Sequence, residues 1–132
     1  MAHEHHFDPD DPVLARLRDV ALALPGADEK VSHGRPAFFT KKIFAIFGAV
    51  VKGETDSDRF AQSLVFFPDP DEAEALAQHP LVFVPAYWGP WGWLSYDLAS
   101  PDADWGEVAE LVEDSFRLTA PKKLAADFEA RG

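Results

Sequence analysis

Cysteine is missing from this 132-residue chain, methionine occurs once and tyrosine only twice. Without a thiol there is no disulfide, no cysteine nucleophile and no thiolate-ligated zinc or iron–sulfur site. No apolar run reaches the length of a membrane span, and the polar, acidic beginning does not read as a signal peptide. A soluble, cytoplasmic protein with no membrane partner is the expectation. Positive charge is scarce as well: 12 Lys and Arg stand against 23 Asp and Glu, a net charge of −11 with His neutral. So acidic a chain works against long-range attraction to nucleic acid or anionic lipid. Phosphate-cradling glycine loops and a GxSxG nucleophile elbow are also lacking.

Aromatic residues are abundant by contrast, with 11 Phe and 4 Trp. Tyr87-Trp88-Gly89-Pro90-Trp91-Gly92-Trp93 gathers three of the four tryptophans around a Gly/Pro turn. Exposed Trp is a liability unless it is packed or used, so these rings either close a core or form a platform. Charge is also unevenly distributed. Between Lys30 and Gly53 there is no Asp or Glu, while Lys30, Arg35, Lys41, Lys42 and Lys52 lie there, giving +5 and leaving −16 for the remainder.

A single domain over residues 10–132 is expected, preceded by a flexible tail at 1–9. Asp10-Asp11-Pro12 supplies a cap and a first-turn proline for a helix whose apolar positions run from Val13 to Leu24, before Pro25-Gly26. Asp28 to Pro36 reads as a loop. Strands are expected at Ala37–Thr40, at Ile43–Lys52 with a break at Gly48, and at Gln62–Phe67. Asp69-Pro70-Asp71-Glu72 starts a short helix that His79-Pro80 stops. Two strands, Leu81–Val84 and Trp91–Leu98, flank the tryptophan turn. Asp104 caps a helix with Trp105, Val108, Val112 and Phe116 on its buried stripe, and Pro121 opens a last one. The order α-βββ-α-ββ-α-α predicts a two-layer α+β fold, a five-stranded antiparallel sheet covered by helices.

Candidate chemistry divides in three. His3, Glu4, His5 and His6 could share a divalent cation, but a disordered tail, native or an expression tag, lacks the second layer of contacts that fixes ligands. His33 and His79 read as turn residues. Asp102, Asp104 and Glu113 mimic a calcium loop, yet Glu107 stands where that loop requires glycine, and helix capping explains Asp104 better. Ser32-His33 adjacency is not a triad geometry, and Asp56 and Asp58 lack the apolar surroundings that would raise a pKa. No catalytic residue, cofactor or resident metal is expected, and the protein reads as no enzyme.

The third is the basic, aromatic strand region. Lys30, Arg35, Lys41, Lys42 and Lys52 flank Phe38, Phe39, Phe44 and Phe47. Phosphate contacts need Lys or Arg, and base stacking needs exposed rings. A hairpin whose rings face the core and whose lysines blunt an edge strand is the competing reading. Trp88 and Trp91 carry the same ambiguity, one closing the core and the other open to a partner. Trp93 and Trp105 are assigned to the core.

Five pieces in order carry a family resemblance: Leu22-Ala23-Leu24-Pro25-Gly26; Lys30 through Phe38; Lys42-Ile43-Phe44-Ala45; Tyr87-Trp88-Gly89-Pro90 with Gly92-Trp93-Leu94; and Leu111 through Leu118. Together they resemble the MmcQ/YjbR-like family from about Val13 to Leu124. The resemblance implies a CyaY-like fold with a double-wing arrangement and DNA binding, without catalytic residues or cofactor. It would make Phe38–Phe47 a wing with Lys41-Lys42 at its tip, and Trp93 structural. Two positions depart from the family pattern: the third strand ends Val65-Phe66-Phe67 where many relatives place a basic residue, and Trp91 stands where a cation is common, which together with the net charge implies weaker nucleic-acid affinity. The leading expectation is weak, salt-sensitive DNA binding through the Lys30–Lys52 face. A protein-interaction or chaperone-like module using the acidic body and exposed aromatics is the alternative, and ligand or metal binding by acidic helix faces ranks third.

Overall fold

The computed structural model describes residues 7–53 and 59–131. The His-rich tail at residues 3–6, weighed as a metal site, and the loop carboxylates Asp56 and Asp58 lie outside these described residues. Helix α1 (Pro12–Ala21) begins where capping predicts: Asp11 Oδ1 accepts from the Val13 N–H at 2.8 Å, and Pro12 fills the first turn. Leu14, Leu17 and Ala21 bury one stripe of it. Phe7, ahead of the helix, packs against the same core.

The sheet is fully antiparallel and has six strands: β1 (Asp28–Ser32), β2 (Arg35–Phe39), β3 (Ile43–Phe47), β4 (Ser63–Phe66), β5 (Val82–Phe83) and β6 (Leu94–Asp97). Their spatial order is β1-β2-β3-β4-β6-β5. The mixed two-layer α+β architecture is as expected, but the strand count is one higher, because Asp28–Ser32 is a strand rather than a loop. Its charged residues hide that role, since they have little intrinsic preference for strands. Two features override the preference. The His33-Gly34 turn has φ of 51° and 79° between the paired Ser32 and Arg35, a two-residue loop of type I′ character. Glu29 then accepts two bonds from Arg18 of α1, at 2.8 and 3.0 Å, fastening the edge strand to the helix. That hydrogen bonding raises the Arg18 pKa above its ordinary value.

Pro36 sits inside β2 without loss. Ser32 and Arg35 flank a two-residue turn and so form the hydrogen-bonded pair. Pro36, opposite Val31, therefore turns its nitrogen toward β3, whose pairing starts only at Ala37. A bulge between Phe38 and Phe39 lets successive residues Phe44 and Ala45 both join the helix-side core.

Helices α1 and α3 (Trp105–Thr119) lie on one face of the sheet against β3. There Phe38, Phe44, Phe47, Leu64, Phe66 and Tyr96 meet Leu14, Leu17, Val108, Val112 and Phe116, all buried. Phe44 and Phe116 pack edge to face, 5.6 Å between centroids. Ser115 bridges the layers, donating to Phe44 O at 2.6 Å and accepting from Phe67 N–H at 3.0 Å. Asp104 caps α3 by accepting from the Gly106 and Glu107 N–H groups. Helix α2 is brief (Ala73–Leu76), and α4 (Lys122–Arg131) packs Leu124 and Phe128 on the outside of the core.

Candidate functional site on the helix-free face

Among the described residues, no α-helix packs on the other face of the sheet. Its central row is built of Ala37, Ile46, Val65 and Ser95, brought side by side by the ladder register. A second, smaller apolar cluster of Ala37, Ile46, Ala49 and Val65 forms here, with Ile43, Phe83, Trp88 and Trp93 packed on it. This row is buried under those side chains, and open space lies only beside it, over Ile46 and the backbone that follows β3. The covering is the segment after β5, not a helix.

That segment is where the tryptophan turn lies. Gly89–Trp91 form a 3₁₀ turn, so the expected strand from Trp91 starts only at Leu94. Ala86 N–H donates to Val50 O at 2.7 Å, tying the segment to the continuation of β3. Trp88 and Trp93 stack obliquely at 5.1 Å, and Trp93 leans on Phe67 at 5.5 Å. Trp93 is structural, as expected. Tyr87 holds a positive φ of 69°, uncommon outside glycine, and points its ring outward, 71% exposed. Trp91 is more open still, at 77%. Trp105, on the opposite layer, packs on the core with the Arg16 guanidinium 4.6 Å over its ring.

Between this segment and the sheet opens a cleft of about 550 Å³. Ile46, Gly48, Ala49 and Val50 form the floor; Ser32, His33 and Arg35 stand on one side, and Pro85, Ala86, Tyr87, Trp88 and Trp91 on the other. Gly48 is required here. Its φ is +99°, and a Cβ at this position would collide with Arg35 Nη1. Arg35 therefore lies flat over a backbone left bare for it. Its Nη1 is buried and has no hydrogen-bond partner, and among the described residues no carboxylate pairs with the guanidinium. Desolvation lowers the Arg35 pKa, but a guanidinium stays protonated in proteins, so the cleft contains a fixed positive charge. Leaving such a donor unmet costs about 1–3 kcal/mol.

The structure divides the cationic candidates of the sequence. Arg35 joins Trp88 and Trp91 in the cleft, a grouping that their separation in sequence conceals. Lys41 and Lys42 are exposed in the β2–β3 turn, at the opposite end of β2, roughly 15–20 Å along the strand. Lys30 sits between, its Nζ 4.6 Å over the Phe39 ring. Lys52 is exposed two residues past Val50, at the cleft end. Of the four phenylalanines, Phe38, Phe44 and Phe47 are buried against the helices, and only Phe39 is half-buried on the open face. His33 borders the cleft through the turn conformation it adopts, whereas His79 is a core-edge residue. Its Nδ1 accepts from Leu81 N–H at 3.0 Å, and its Nε2 lies 3.0 Å from Glu107 Oε1.

A six-stranded antiparallel sheet with helices on one face and an aromatic-walled cleft on the other defines an α+β protein with one open sheet face. The chain belongs to the YjbR family, whose family model matches residues 22–118 and so takes in the cleft, the six strands and nearly all of α3, but not α1 or α4. Its fold is shared with the crystal structure of Deinococcus radiodurans protein DR2400, a DUF419-domain protein. The two superpose with a TM-score of 0.63 at 21% identity, over 83% of this chain and 80% of that one. No curated protein is significantly similar to the chain. Among the described residues, no helix is long and apolar enough to cross a membrane.

Proposed function

We propose that this is a binding protein rather than an enzyme, and that it docks single-stranded nucleic acid across the helix-free face of its sheet. One observation carries the reading: Tyr87 and Trp91 stand out from that face at 71% and 77% exposure, at the end of a face bearing cations with no acidic partner among the described residues. Exposed rings stack on unpaired bases whatever their sequence, and lysines follow the phosphates. A duplex offers no free base to the rings and would meet the field of an acidic protein over a long contact. Lys52, Lys30 and the Lys41-Lys42 turn lie along the length of the β2–β3 hairpin, a path that suits a flexible strand better than a rigid helix.

Fluorescence anisotropy of a labelled mixed-sequence strand and its duplex, across a salt series, tests this. Single-strand binding should weaken with salt, and Lys41→Gln with Lys42→Gln should lower the slope of log K against log salt by roughly 0.7 per lysine. Trp91→Ala should cost about 1–3 kcal/mol of affinity. Absence of binding at low salt overturns the reading and leaves the exposed rings to a protein partner.

A further inference from the structure

We propose that the Arg35 cleft is a discrete site for a small planar ligand bearing an oxyanion, taken free from solution. The ligand would set its ring against Trp88 and Trp91 and its anionic group on the Arg35 guanidinium. This goes beyond strand docking, which shares Trp91 with the cleft but relies on the lysines and does not need Arg35.

Three observations converge on it. The cleft measures about 550 Å³, within the range of roughly 300–1,000 Å³ typical of small-molecule pockets. Its walls are mostly hydrocarbon and indole, with a single permanent charge supplied by Arg35. That charge is uncompensated: the guanidinium makes no hydrogen bond or ion pair with any described residue, and Nη1 is sealed against Gly48. A guanidinium that serves only stability is ordinarily paired, as Arg18 is with Glu29 and Arg117 is with Asp114 and Glu129. Arg35 is instead laid on a glycine at positive φ, where any other residue would displace it. Planar bidentate recognition of phosphate or carboxylate is what a guanidinium does best, and an indole wall beside it selects a flat partner. Nucleoside monophosphates and aromatic carboxylates share this chemistry.

Isothermal titration of the full chain with adenosine 5′-monophosphate and with phenylacetate separates these two sources, with adenosine, inorganic phosphate and acetate as controls. At least one ring-bearing anion should bind at a single site. Its ring alone or its anion alone should bind about tenfold more weakly or worse, the first losing the charge-assisted contact and the second the stacking on indole. Arg35→Gln should abolish binding of the small anion, whereas Lys41→Gln with Lys42→Gln should leave it unchanged while weakening oligonucleotide binding. The two variants thus distinguish failure of this site from failure of strand docking. Should Arg35→Gln not fold, amide and indole shifts of the wild-type protein decide the matter: movement at Gly48, Trp88 and Trp91, with Trp105 still, is the expected pattern. Binding by neither anion, binding unchanged by Arg35→Gln, phosphate or acetate alone binding as tightly, or shifts centred elsewhere would each overturn the proposal.

Discussion

The two faces of one sheet have been built by opposite rules. On the helix side the strands contribute Phe38, Phe44, Phe47, Phe66 and Tyr96, which interlock with α1 and α3 until no ring is exposed. On the other side the same strands contribute Ala37, Ile46, Val65 and Ser95 under an irregular aromatic segment, and a cleft opens beside them over Ile46, Gly48, Ala49 and Val50. Large side chains that reach across a gap fill it. Small ones take a cover from elsewhere in the chain, and where that cover does not close on the sheet a cleft remains. Stability is therefore concentrated on one face and binding capacity on the other.

Substitutions should separate the two roles. The largest loss is expected for Phe116→Ala, which removes a fully buried ring packed on Phe44 and Phe128. Chemical denaturation should show a loss of about 3–5 kcal/mol. Ser115→Ala takes one partner each from Phe44 O and Phe67 N–H, and should cost about 1–3 kcal/mol in the same assay. On the open face, Gly48→Ala forces a side chain into a positive-φ position against Arg35, for which about 1–2 kcal/mol is expected. Trp91→Ala, at 77% exposure, should change stability by less than about 0.5 kcal/mol while impairing ligand binding. If Trp91→Ala unfolds the chain, the division between the faces is wrong.

A pH titration sharpens the same contrast. Tyr96 is buried on the helix side, and desolvation raises its pKa; its hydroxyl also donates to Glu107 Oε1 and accepts from Asp104 N–H. The folded state therefore holds the phenol proton more tightly than the unfolded state does. Its contribution is fully present below the ordinary phenol pKa and is lost as pH rises through the higher folded value. Thermal unfolding should show stability falling in the alkaline range, and Tyr96→Phe should flatten that fall at the cost of the two hydrogen bonds.

Legibility followed locality. Asp11 and Asp104 were readable as helix caps because capping is settled within three residues. The apolar spacing of α1 and α3 marked their buried stripes for the same reason. β1 was not readable as a strand: Asp28, Glu29 and Lys30 argue for a loop, and what makes them a strand is the ladder to β2 and the reach of Arg18. The same limit governs the site. Arg35 and Trp88 carried suspicion separately, but nothing in the spacing announced that they would share a cleft. Lys41 and Lys42 looked like neighbours of Arg35, yet strand β2 carries them to its far end.

The amino-acid order alone determined the class of fold, the helix caps, the acidic body with its one basic stretch, and the family to which the chain belongs. These follow from composition, periodicity and short-range turn chemistry, each expressed within a few residues. Tertiary structure decided which face of the sheet stayed uncovered, that Arg35 lies unpaired over Gly48, and that the tryptophan segment roofs a cleft. Those outcomes depend on residues 36 and 53 positions apart in the chain: Ala86 hydrogen-bonded to Val50, and Trp88 sharing the cleft with Arg35. Only the register of the sheet and the balance of packing on its two sides could bring them together.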